Sequence, residues 1–111
     1  MEACDIKNVY TIPGIKKISI PEHIQIVVSE YFGIPVTGLY DRSRKNEVKE
    51  RRYIGMYFTR ELTGLSQAKI GVLFGGFDHA TVRNAIIRVN EYIETEKDFR
   101  MKIANLFNLL N

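Results

Sequence analysis

The sequence predicts an all-α fold, a compact cluster of about five to six helices that contains a helix-turn-helix. Three observations carry this expectation. From Ser19 onward, apolar residues recur at three- and four-residue steps. Gly33, Pro35, Gly64, Gly75 and Gly76 interrupt that pattern at intervals of roughly one helix. The connections left between the stripes are short, so neighbouring helices must share one core. The chain divides accordingly into residues 1–18, an N-terminal arm that is extended or holds a short strand, and residues 19–111, the helical domain. In the arm, Val9, Tyr10, Ile12, Ile15 and Ile18 flank a Pro13-Gly14 turn signal.

The first helix starts near Ser19, with Pro21 suited to an opening turn. Ile24, Val27, Val28 and either Tyr31 or Phe32 form its buried stripe, and Gly33 and Pro35 stop it. A short helical turn follows at Thr37 to Tyr40. After the basic loop Asp41-Arg42-Ser43-Arg44-Lys45, a long helix runs from about Asn46 to Leu62, charged in its first half and apolar in its second, with Gly64 just past its end. Ser66 caps a short helix that faces Ile70, Leu73 and Phe74 inward and ends at Gly75-Gly76. The next helix, from about Asp78 to Ile93, has Val82, Ala85, Ile86, Val89 and Ile93 on one face, and Thr81, Asn84 and Arg88 in a polar row on another. Thr95 and Asp98 resemble a capping pair for a last helix packed through Phe99, Ile103, Leu106 and Leu110.

Composition narrows the function. At 111 residues the chain is one domain, long enough to bury a core without staples. The single Cys4 makes no internal disulfide and points to a reducing, cytoplasmic compartment. The longest stretch without a charged residue, Tyr31 to Tyr40, is ten residues, where a membrane span needs about 20 apolar ones. Neither a membrane partner nor a secretory signal is expected. Two His and one Cys give no metal-ligand spacing, no nucleophile sits beside a base, and Gly-x-x-x-x-Gly-Lys-Ser/Thr is absent. An enzyme is not expected, nor any cofactor, metal or nucleotide.

The net charge of +3 averages two opposed regions. Residues 42–88 hold ten basic and four acidic side chains, a balance of +6, while the flanks carry −3. A basic middle is what a polyanion-binding face leaves in a sequence, although a solvated helix face leaves the same trace. Within this middle, two short helices meet at Gly75-Gly76-Phe77, the sequence shape of a helix-turn-helix or of a plain packing unit. In the former, the second helix enters the major groove. Its opening residues Asp78, His79, Ala80 and Thr81 offer an acceptor for cytosine N4, hydrogen-bonding groups and methyls for thymine.

The stretch Leu73-Phe74-Gly75-Gly76-Phe77-Asp78-His79-Ala80-Thr81-Val82 closely resembles the signature Gly-Gly-Arg-Asp-His-Thr-Thr-Val of the C-terminal DNA-binding domain of the bacterial chromosomal replication initiator DnaA. The resemblance extends in register through Arg51-Arg52, Met56-Tyr57, Arg60-Glu61-Leu62-Thr63, Ser66 and Ile70-Gly71, and covers roughly residues 19–111. It implies sequence-specific binding of double-stranded DNA at a DnaA-box-like site, linked to replication initiation or its regulation. By the same resemblance Asp78, His79, Ala80 and Thr81 contact bases in the major groove and Arg44 reaches into the minor groove. Arg42, Lys45, Arg52, Arg60, Ser66, Lys69 and Arg88 hold the phosphate backbone. Asp78 is equally an N-cap residue by type.

Three departures bear on base preference. Phe77 replaces the signature Arg, Ala80 the first Thr, and Tyr53 a common Gln. They keep two alternatives open, a stand-alone transcriptional regulator and a protein-interaction module that engages a partner through Phe77, Tyr53 and the C-terminal helix. A lone His23 without a partner pattern reads as an exposed side chain.

Overall fold

A computed structural model describes residues 9–12 and 15–110. Five α-helices form the domain: α1 (Ile20–Phe32), α2 (Asn46–Thr63), α3 (Gln67–Leu73), α4 (His79–Thr95) and α5 (Lys97–Leu110). A 3-10 turn, Val36–Tyr40, separates α1 from α2. Ahead of α1 the arm holds two strands where the sequence suggested one at most: β1 (Val9–Ile12) pairs antiparallel with β2 (Ile15–Ser19), Val9 opposite Ser19 and Ile12 opposite Ile15, with a register irregularity between Tyr10 and Ile12. The Pro13-Gly14 turn itself lies outside the described residues.

The predicted stripes become the core. Ile24 and Val28 of α1, Ile54, Met56 and Phe58 of α2, Ile70 of α3 with Phe74 just beyond it, Val82, Ala85 and Val89 of α4, and Phe99, Ile103, Leu106 and Leu110 of α5 are buried together with Leu39. α4 sits centrally, packed against α2, α3 and α5. Of the two aromatic candidates ending α1, Phe32 packs against the core while Tyr31 stays exposed, their rings meeting edge to face at 5.2 Å. Close approach explains one interior glycine of α2: a Cβ at Gly55 would stand 2.8 Å from the buried Phe74 ring.

One buried amide ties the helices across long sequence distances. Gln25, buried at 6% exposure, donates from Nε2 to the Leu73 carbonyl at 2.9 Å and accepts at Oε1 from the Tyr40 hydroxyl at 3.0 Å. A buried amide bonded on both ends costs little and fixes the end of α3 over α1. His23, expected exposed, is half-buried, and desolvation lowers its pKa. The expected Thr95–Asp98 capping pair does not form: Thr95 is the last residue of α4 and its hydroxyl donates back to the Glu91 carbonyl at 2.9 Å. No helix among the described residues is long and apolar enough to cross a membrane.

Candidate nucleic-acid interface

Residues 66–95 build the helix-turn-helix. Ser66 caps α3, its Oγ accepting from the Lys69 amide at 3.2 Å. The turn then depends on three glycines. Gly75 and Gly76 adopt φ of 98° and 95°, where a side chain is strained. Gly71 lets the returning chain lie against α3: its carbonyl accepts from the amides of Gly76 at 2.9 Å and Phe77 at 3.0 Å, and a Cβ there would sit 1.9 Å from the Phe77 oxygen. Helix α3 and the start of α4 are thereby held at one fixed separation.

Asp78 opens α4 as its N-cap, Oδ1 accepting from the Thr81 amide at 2.9 Å. Hydrogen bonds from the Thr81 backbone and side chain hold its carboxyl below the usual carboxylate range. Asp78 and His79 are exposed, while Ala80 and Thr81 are half-buried. Behind them Arg83, Asn84, Ile87 and Arg88 are exposed along the two following turns, with Arg88 paired to Glu91 at 3.7 Å. Arg83 and Ile87 were missed at the sequence level. Ala80, Asn84 and Ile87 follow i, i+4, i+7 spacing on the side opposite Val82, Ala85 and Val89, so the helical wheel contained that signal.

The basic loop is folded on itself by short-range bonds. The Ser43 amide donates to Asp41 Oδ1 at 2.8 Å and the Lys45 amide to Ser43 Oγ at 3.2 Å. Arg44 and Lys45 are exposed. Arg42, exposed as well, turns to the helix-turn-helix: its Nη2 donates to the carbonyls of Gly75 at 3.1 Å and Gly76 at 3.0 Å, and its guanidinium carbon lies 4.3 Å from the Phe77 ring centroid. The fold thus sets side by side two segments more than thirty residues apart, the basic loop and the opening of α4.

Two expected phosphate ligands occupy other places. Arg52 is buried at 5% exposure, where a phosphate would reach it only by displacing protein. Its Nη1 donates to the Asp41 carbonyl at 2.5 Å, and its guanidinium stands 4.7 Å from the Phe77 centroid and 5.7 Å from that of Tyr53. Its Nε has no hydrogen-bond partner, and desolvation lowers its pKa. The cation is held by the Asp41 carbonyl together with the Tyr53 and Phe77 rings, a role that a surface-phosphate reading of Arg52 does not foresee. Arg60, half-buried, donates from Nη1 to the Leu65 carbonyl at 2.6 Å and closes the turn after α2. Ser66 and Lys69 are exposed at the start of α3.

Between α2, α4 and the start of α5 lies an open cleft of about 370 Å³ whose rim includes Lys49, Glu50, Tyr53, Arg88 and Glu96. Both charge signs mix there. Among the described residues no group of three His, Cys, Asp or Glu is placed to hold a metal ion.

The family model of the bacterial DnaA protein helix-turn-helix matches residues 21–89, from α1 through the basic loop to the second half of α4. That span contains the cap, the turn, the loop and the exposed opening of α4 described above. The chain belongs to the bacterial DnaA helix-turn-helix family and is a helix-turn-helix DNA-binding domain.

Proposed function

We propose that the chain reads double-stranded DNA sequence-specifically, with the opening of α4 in the major groove and the Arg42–Lys45 loop over the adjacent minor groove. The observation that carries this reading is the juxtaposition of an exposed Asp78-His79 pair with a basic loop bonded to the same turn. Asp78 keeps Oδ1 on its own helix, which leaves Oδ2 to accept from a cytosine amine. His79 donates or accepts at a base edge, Ala80 and Thr81 offer methyls to thymine, and Asn84 one turn on suits adenine. Arg44 enters the narrow groove, whose potential favours a guanidinium. Lys45, Ser66, Lys69 and Arg88 hold phosphates and set the register. A place in replication initiation or its regulation is the context this family membership suggests.

The protein-interaction alternative has less support. Phe77 is covered by two guanidinium groups, and Phe99, Ile103, Leu106 and Leu110 are core residues. The apolar side chains that α5 does expose, Met101, Phe107 and Leu109, point in different directions at 100° per residue.

Selection of duplexes from a random pool, followed by titration at several salt concentrations, tests the reading. An enriched motif is expected, bound about 10³-fold or more above random duplex, with a log–log salt slope of about −3 for the three cationic phosphate contacts. His79→Ala is expected to cut the specific-to-random ratio at least about tenfold and leave the slope unchanged. Equal affinity of the unmutated protein for selected and random duplexes sinks the base-reading assignment.

A further inference from the structure

Phe77 has two cations over its ring, Arg42 at 4.3 Å and Arg52 at 4.7 Å, both measured to the ring centroid. The same two arginines hold the root of the basic loop. Arg52 takes the carbonyl of Asp41, and Arg42 takes those of Gly75 and Gly76. Each reading element begins within two residues of this junction: Arg44 follows Arg42 by two positions, and Asp78 and His79 follow Phe77 by one and two. Two residues of chain span at most about 7 Å. The junction therefore limits how far Arg44 can stray from His79.

We propose that Arg42 and Phe77 form a latch that locks the basic loop to the reading helix, which makes Arg42 a positioning residue rather than a phosphate ligand. The inference rests on the DNA-binding reading above for its functional consequence, but the latch exists in the free protein. Arg42 gives both Nη2 protons to backbone carbonyls while its guanidinium carbon lies over the Phe77 ring, so the group is tethered to the protein. A phosphate that drew the guanidinium outward would have to compete with all three contacts. Phe77 also suits the place because a neutral ring face attracts both cations, whereas a third cation would repel them. The latch fixes the spacing between the minor-groove and major-groove contacts and so contributes to which sites are accepted, without touching a base.

Amide hydrogen exchange of the free protein gives the first test. Arg42→Ala, Arg42→Lys and Phe77→Leu are each expected to speed exchange at Ser43 and Lys45 about threefold to tenfold, the scale set by a partly exposed cation–π contact, while Arg44→Ala leaves it unchanged. Titration with the selected duplex gives the second. Arg42→Ala and Phe77→Leu each weaken binding by about the same factor, the double variant is no weaker than either single one, and the salt slope stays put. Lysine does not rescue, because an ammonium has no flat face to lay on the ring while it gives two protons to the carbonyls. A phosphate role predicts the reverse: a slope reduced by about one in Arg42→Ala, rescue by Arg42→Lys and indifference to Phe77→Leu. That result, or unchanged loop exchange in the Arg42 variants, overturns the latch. If the unmutated protein selects no duplex, base reading has failed, and the exchange measurement still decides the latch.

Discussion

Gly71→Ala puts one methyl group against the hinge of the helix-turn-helix. The Cβ would stand 1.9 Å from the Phe77 carbonyl oxygen and 2.8 Å from its carbon, both backbone atoms that no rotamer can move. A carbon and a carbonyl oxygen settle at about 3.3 Å, so the turn must retreat by about 1.4 Å. The Gly71 carbonyl also receives the amides of Gly76 and Phe77 at 2.9 and 3.0 Å, and a retreat of that size breaks or bends both bonds. Two lost backbone hydrogen bonds cost about 2 kcal/mol and overpacking about 1–3 kcal/mol. Alanine's better helix propensity returns about 1 kcal/mol. The net loss of about 2–4 kcal/mol lowers the thermal midpoint by roughly 8–16 °C at about 4 °C per kcal/mol. Val72→Ala is the control, since that side chain on the same helix is 72% exposed and its removal leaves the midpoint nearly unchanged. Thermal unfolding followed by circular dichroism reads both. A Gly71→Ala midpoint equal to or above that of the unmutated protein would refute the close-approach argument, because propensity alone would then have decided the sign.

Two further outcomes follow from the opening of α4. The folded pKa of Asp78 is lowered by its hydrogen bonds to Thr81, so its contribution is whole above the unfolded value of about 3.9 and is lost as the pH falls through the folded value. Asp78→Asn keeps the cap but not the charge. Its thermal midpoint should therefore lie below that of the unmutated protein at neutral pH and converge with it in acid, whereas a gap constant from pH 3 to 7 would exclude this linkage. Ala80→Glu adds a carboxylate to the first turn of α4, and is expected to stabilise the helix by about 0.5 kcal/mol while weakening duplex binding at least about tenfold by facing the phosphates with like charge. Binding and stability moving in the same direction would contradict the placement of this turn in the groove.

Sequence legibility followed the range of the interactions. Val82, Ala85 and Val89, or Phe99, Ile103 and Leu106, announce their helices because a stripe needs only its own spacing. Ser66 and Asp78 were legible as caps for the same reason, since each bonds an amide three residues on. The failures depend on distant partners. Gln25 carried no signal in the sequence, because its partner, the Leu73 carbonyl, lies 48 positions away. Arg52 is a phosphate ligand by the resemblance, and a cation on a helix that seeks solvent or anions agrees with it. The Asp41 carbonyl and the rings of Tyr53 and Phe77, the last carried in by the turn after α3, together make its burial tolerable. Thr95 looked like a cap because Ser and Thr bond local backbone in either direction, and here the hydroxyl bonds backward. In the resemblance, Phe77 was a departure that obscured base preference. In the structure it is the element joining the loop to the turn.

The charge order along α4 separates what serves folding from what serves DNA. Helices α1, α2 and α5 carry Glu22, Glu47 and Asp98 in their first turns, where the helix dipole favours an anion. Helix α4 has no acidic residue in its first turn and no basic one in its last. Instead Arg83 and Arg88 fall in its first ten residues and Glu91 and Glu94 in its last seven. Asp78 already places one carboxylate at the N-cap, and of these four charges only Glu94 lies in a terminal turn, at the unfavourable end. Under the proposed orientation, DNA phosphates would add further negative charge to the N-terminal end. Phosphates beside the opening of α4 would meet the positive end of the dipole and two arginines, while Glu91 and Glu94, about 18 Å along the axis from His79 or farther, keep the far end out of a groove about 12 Å wide. In the proposed orientation, the charges that draw the domain to a polyanion would also select which end of the helix arrives.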